Sequence, residues 1–201
     1  MNHPAFFDEV KTVAVRDPLA QILGAASDGL LRYSYLDAVK LAGHSCPTVA
    51  GAYLMTLKAL AALYPDSVPE RGSLRVEFGA AQGEGVTGVI AQIAGLITGA
   101  AGEGGFKGLG GKFARRNLLL FGGGAAEMKC TRLDTGAAVA VAYHPEVVPP
   151  SPQLPALTQK LFASEAGAEE RAEFARLWQM RVKRILIDHF DDPALVTLTA
   201  G

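Results

Sequence analysis

Between Pro47 and Leu63 the chain carries a single charge, Lys58, while Val49, Tyr53, Leu54, Leu57, Leu60 and Ala61 recur at three- and four-residue spacing. That is the period of an α-helix. A helix that is apolar nearly all round has no face for water, so the rest of the fold must cover it. Gly85–Gly102 makes the same demand, being uncharged throughout, and its spacing predicts a helix over 86–98. The stretch is about as long as the shortest membrane spans. It holds Gln92, two threonines and five glycines, however, and its flanks are Glu84 and Glu103 in place of basic anchors. It therefore reads as a second core helix. Small residues mark both helices, Ala50, Gly51, Ala52, Ala59, Ala61 and Ala62 in one and Gly88, Ala91, Ala94 and Gly95 in the other, which lets helix backbones approach closely.

The elements around this pair are shorter. Residues 1–15 read as extended, and Asp17-Pro18 starts a helix running to about Ala26. Leu30–Tyr35 alternates like a strand, a short helix follows over 36–41, and Leu74–Phe78 alternates strictly. Strands are predicted over 117–121, 126–133 and 137–143, the last two forming a hairpin at Asp134-Thr135-Gly136. Five prolines between Pro145 and Pro155 predict a linker, and Glu169–Phe190 an amphipathic helix with Phe174, Leu177, Trp178, Val182, Ile185, Leu186 and His189 on one stripe. The order of elements predicts an α+β fold: an antiparallel sheet packed on the small-residue-rich helices, with a C-terminal amphipathic helix. The divisions expected are a core domain over 1–145, a proline-rich linker over 146–160 and a C-terminal helical extension over 161–201.

With 19 basic and 20 acidic residues the chain has no long-range field to attract a phosphate backbone, so nucleic acid is not an expected partner, nor is a membrane. Asp8 and Glu9 stand where a signal peptide needs basic residues and then an apolar run, which points to the cytoplasm, where thiols stay reduced. The only cysteines, Cys46 and Cys130, cannot form a disulfide framework or an all-cysteine zinc site.

Gly43-His44-Ser45-Cys46-Pro47 is the segment most suggestive of chemistry. Pro47 suits the first helical position, which makes Cys46 the N-cap or its neighbour. Its sulfur would then face free backbone N–H groups and the positive end of the helix dipole, an environment that favours a thiolate. His44 can turn toward the same point. Imidazole and thiolate together suit zinc or another divalent transition metal, but they supply only two ligands. Candidate third ligands are His144 and Cys130, near the ends of predicted strands. Seven glycines between Gly99 and Lys112 fit neither a nucleotide-binding P-loop nor a dinucleotide fingerprint. They are expected to form a flap over His44 and Cys46, with Lys112, Arg115 or Arg116 available to bind an anionic substrate group.

Gly43–Pro47, followed by a helix containing Gly51, resembles the Gly-His-x-Cys-Pro signature of the FmdE-like family, named for its association with formylmethanofuran dehydrogenase. Ile93–Gly99 and Gly111-Lys112 resemble further family segments, and the likeness spans roughly residues 19–143. It implies an α+β core, a homodimer, and a metal-binding or reactive site at His44 and Cys46. This chain differs in having Ala42 where an extra histidine is common and Val86, Thr87 and Gly88 where a cysteine and an aspartate occur. With no cysteine after Cys130 it cannot form the C-terminal zinc finger many relatives carry.

The resulting expectation is a metal-binding protein with His44, Cys46 and His144 as ligands. It would act on a small oxygenated or C1-type molecule, with Cys46 as ligand or nucleophile, His44 beside it, and Lys112 and Arg115 binding the substrate. The alternative is a haem-, metal- or redox-binding sensor or carrier without turnover, using Cys46-Pro47 as a thiolate haem ligand. A third possibility, suggested by the missing cysteine and aspartate, is a degenerate family member kept for assembly.

Overall fold

The structure, a computed structural model, is described over residues 2–124 and 126–201; Met1, the first residue of the segment expected to be extended, and Ala125 lie outside the described residues. The chain folds as α+β, with helices covering one face of a five-stranded sheet and a two-stranded sheet beside them. After a 3-10 turn over Ala5–Glu9, β1 (Val13–Arg16) pairs antiparallel with β2 (Leu30–Tyr33), and α1 (Pro18–Ile22) lies between them in sequence. Asp17 caps α1 as its sequence predicts, accepting the N–H groups of Leu19 and Ala20. The helix ends four residues earlier than expected, at Ile22.

The two core helices are α3 (Pro47–Leu63) and α4 (Thr87–Thr98), which pack on each other and on the sheet. Tyr53, Leu54, Met55 and Ile93 in them are fully buried. Their glycines do not mediate the helix–helix approach. Gly51 faces the Tyr143 ring, Gly88 the Gln82 carbonyl and Gly95 the Ala100 carbonyl.

The large sheet has the order β4-β3-β5-β6-β7, with β3 at Leu74–Phe78, β4 at Leu119–Phe121, β5 at Met128–Arg132, β6 at Ala138–Tyr143 and β7 at Val196–Ala200. Leu74, Val76, Phe78, Met128, Cys130, Val139 and Val141 turn toward the helices. The sheet is mixed, where the sequence predicts an antiparallel one: β4 runs parallel to β3. The physical reason is the connection, because α4 and the glycine-rich segment form a crossover long enough to return the chain in the same direction.

The carboxy-terminal part is not an appendage. The expected linker contains a 3-10 turn (Pro145–Val147) and the start of α5 (Leu154–Phe162); α6 (Ala168–Lys183) then continues into a π turn over Arg184–Asp188. Val182, Ile185, Leu186, Leu195 and Val196 join the same apolar core as α3, and β7 pairs with β6 from Val139↔Ala200 to Tyr143↔Val196. No helix among the described residues is long and apolar enough to cross a membrane.

Candidate functional site

The site forms where α2 (Tyr35–Ala42) hands over to α3. Gly43 ends α2 with φ 76°, a left-handed conformation that glycine adopts without strain, and its N–H donates to Val39 O at 2.8 Å. The chain reaches Cys46 in extended geometry (φ −150°, ψ 169°), and Pro47 begins α3. Cys46 is the N-cap: Val49 N–H donates to its Sγ at 3.4 Å. The capping role anticipated from Cys46-Pro47 is therefore present.

His44 and Cys46 line one cleft of about 550 Å³. His44 Nδ1 lies 2.9 Å from Ala42 O. A carbonyl oxygen only accepts, so Nδ1 carries the hydrogen, and in the neutral ring Nε2 keeps its lone pair. Ser45, between them in sequence, points elsewhere. Its hydroxyl donates to Gln179 Oε1 at 2.9 Å and receives Tyr35 O–H at 2.9 Å, while its carbonyl accepts Trp178 Nε1–H at 3.0 Å and Gln179 Nε2–H at 3.2 Å. One residue thus fastens α6 over the site. Burial holds the Tyr35 phenol well above its usual range, so it remains a neutral donor.

The other walls come from distant parts of the chain: Thr48 on α3, Val86 and Ile90 at the start of α4, Glu127 before β5, Tyr143 and Pro145 at the end of β6, and Trp178 and Arg181 on α6. Tyr143 donates its hydroxyl to Pro47 O at 3.1 Å, and Glu127 Oε2 accepts the Tyr143 N–H at 2.8 Å. Sequence reasoning found Trp178 only as a packing residue and missed Glu127, Tyr143 and Arg181 as site residues. A signal for the last was at hand in its place on the stripe-bearing helix, one turn beyond Trp178.

Other expected partners lie elsewhere. His144 follows a strand whose side chains alternate, so while Tyr143 and Pro145 face the cleft, His144 turns to Thr197 Oγ1 (Nε2, 3.2 Å) and Glu146 Oε1 (Nδ1, 3.5 Å). It does not join His44 and Cys46. Cys130 is buried in β5 at 1% exposure, and burial pushes its thiol up to about 12. Among the described residues, no group of three or more His, Cys, Asp and Glu side chains is placed to hold a metal ion.

The glycine-rich segment is not a flap over the cleft. Arg115 Nη2 donates to Asp17 Oδ1 at 2.7 Å, with Arg71 Nη1 on Oδ2 at 2.9 Å, and Lys112 and Arg115 line a separate cavity of about 250 Å³ with Glu70 and Arg71. A buried carboxylate with two oxygens to satisfy draws the guanidinium away from any open site.

The two thiols should differ in behaviour. A small electrophile such as methyl methanethiosulfonate is expected to label Cys46 in the folded protein and leave Cys130 untouched until the sheet unfolds, as read by mass spectrometry. Cys46→Ser should then take up no label under native conditions, and labelling of Cys130 first would contradict this assignment.

Compared with family models and with curated proteins, the chain matches none.

Proposed function

We propose that the cleft binds a divalent transition metal, zinc being the best chemical match, through His44 Nε2 and Cys46 Sγ, and receives a small oxygenated or C1-type molecule beside it. The observation that carries this reading is the Nδ1–H to Ala42 O hydrogen bond, which leaves Nε2 as the free nitrogen of a histidine that lines the same cleft as Cys46. Metal-ligating histidines usually have the second nitrogen occupied in this way. A nitrogen and sulfur donor pair suits zinc, and the open positions fall to water, to the bound molecule, or to a donor from a second copy in a homodimer. The reading rests on the same five residues, Gly43–Pro47, that carry the resemblance to the FmdE-like family. Both cysteines are free, which suits a reducing compartment such as the cytoplasm.

A metal held there would polarise a carbonyl or activate water. The chain's own contribution is placement: Tyr143 and Trp178 wall the bound molecule, Ser45 holds the motif against α6, and Val86 and Ile90 add apolar surface to the lining. A second reading, with Cys46 as a metal-free nucleophile, rests on its place as the N-cap of α3, where its Sγ accepts the Val49 N–H.

Zinc loading followed by elemental analysis tests the first reading. The intact protein should retain stoichiometric zinc after gel filtration, and His44→Ala and Cys46→Ser should each weaken retention by about tenfold or more. Equal retention in all three proteins rejects the metal site, and a Soret band in the protein as isolated would replace zinc with haem.

A further inference from the structure

Arg181 is half-buried on α6, and its guanidinium is committed along one side only: Nε donates to Val148 O at 2.7 Å and Nη2 to Pro145 O at 2.9 Å. No carboxylate among the described residues forms an ion pair with it, and Nη1 has no hydrogen-bond partner among them. Of the nearby acids, Glu127 lines the same cleft and accepts the Tyr143 N–H through Oε2, and Glu146 pairs with His144; neither forms an ion pair with Arg181, and both are solvent-exposed, where water screens their charge. The result is a rigid cation without a counter-ion on the wall of a cleft whose remaining surface is mostly apolar and aromatic: Pro47, Val86, Ile90, Tyr143, Pro145 and Trp178. The indole of Trp178 is itself held in place by its bond to Ser45 O.

A guanidinium held by neutral carbonyls has no opposite charge paired with it, and a fixed fork is suited to a planar carboxylate. Aromatic walls suit a flat apolar body. From this combination we infer that the natural ligand of the cleft is a small monocarboxylic acid with an aromatic or similarly flat apolar body, its carboxylate on Arg181 and its other end toward His44 and Cys46. The inference rests on the reading that this cleft is the functional site, but it does not need the metal. Arg181 is then the residue that selects acids over their uncharged analogues.

Trp178 is the only tryptophan of the chain; it lines the cleft and, on its other side, a cavity shared with Leu154 and Thr158, so its fluorescence responds to a ligand bound beside it. The experiment titrates the chelator-treated protein with 3-phenylpropanoate and, in parallel, with 3-phenylpropanamide, which has the same shape and no charge. The acid should produce a saturable change and the amide should bind roughly tenfold to a hundredfold more weakly, the range of a charge-assisted hydrogen-bonded contact. Arg181→Gln should abolish that preference, and Arg181→Lys should keep part of it, with circular dichroism confirming that each variant is folded. Equal binding of acid and amide, no saturable response to the acid, or an unchanged preference in folded Arg181→Gln overturns the inference. Should Arg181→Gln not fold, the acid-to-amide ratio in the unsubstituted protein and in Arg181→Lys decides. Because metal is stripped before titration, loss of the zinc site leaves this result intact, and a retained zinc site does not rescue its failure.

Discussion

Asp17→Asn is expected to destabilise the protein by about 3–5 kcal/mol at neutral pH, the cost of leaving buried charge without its partner. Asp17 is 3% exposed and Arg115 is 6% exposed; the carboxylate also takes Arg71 and two N–H groups of α1. The two guanidiniums are already short of partners, since Arg71 Nε and Arg115 Nη1 are buried without one, so the amide would leave two cations facing a neutral group. The cluster ties the start of α1, the segment before β3 and the glycine-rich segment together, and urea denaturation should report the loss on the whole fold.

The pH dependence carries a definite sign. Burial alone would raise the Asp17 pKa, but the Ala20 N–H and the Arg71 and Arg115 guanidiniums outweigh it and hold the carboxyl below its ordinary value. A group depressed in the folded state stabilises above its unfolded pKa, about 4 for an aspartate, and loses that contribution as pH falls through the lower folded value. The stability gap between the unsubstituted protein and Asp17→Asn should therefore be full near neutrality and shrink as the pH drops below about 4. A gap independent of pH would show that the carboxylate charge is not what holds the cluster.

Gly51→Ala should also destabilise, by about 1–3 kcal/mol, although alanine ordinarily improves a helix interior by about 1 kcal/mol over glycine. A Cβ at Gly51 would stand 2.5 Å from Cδ1 of the Tyr143 ring. Tyr143 is fixed by its hydroxyl bond to Pro47 O and by β6, so the ring cannot withdraw without opening the cleft wall. A domain of this size should melt roughly 2–4 °C lower per kcal/mol, and the Trp178 response to 3-phenylpropanoate should weaken in the folded variant. A higher melting temperature would mean that the ring moves freely and that the close approach is not structural.

Much of the local structure is legible in the residues themselves. The start of α3 at Pro47, the N-cap at Cys46, the stop at Gly43, the Asp17 cap and the buried identity of α4 all follow from neighbours within a turn or so. The assembly of the site is not. Ser45 meets Gln179 across 134 residues and Arg115 meets Asp17 across 98, and no periodicity encodes either pairing. The β7 strand, Val196–Ala200, has no strand beside it in the sequence to form a hairpin, and it is defined by pairing with β6 across more than fifty residues.

The sequence by itself determined that two apolar helices form the centre of the fold and that His44 and Cys46 flank the capped start of one of them, because helix periodicity, capping and backbone dihedral preferences act over a few residues. Only the tertiary structure decided that Glu127, Tyr143, Trp178 and Arg181 complete that cleft, while His144, Lys112 and Arg115 belong elsewhere. Which side chains converge depends on strand alternation, on a helix crossover that sets strand direction, and on the competition of buried charges for partners distant in the chain.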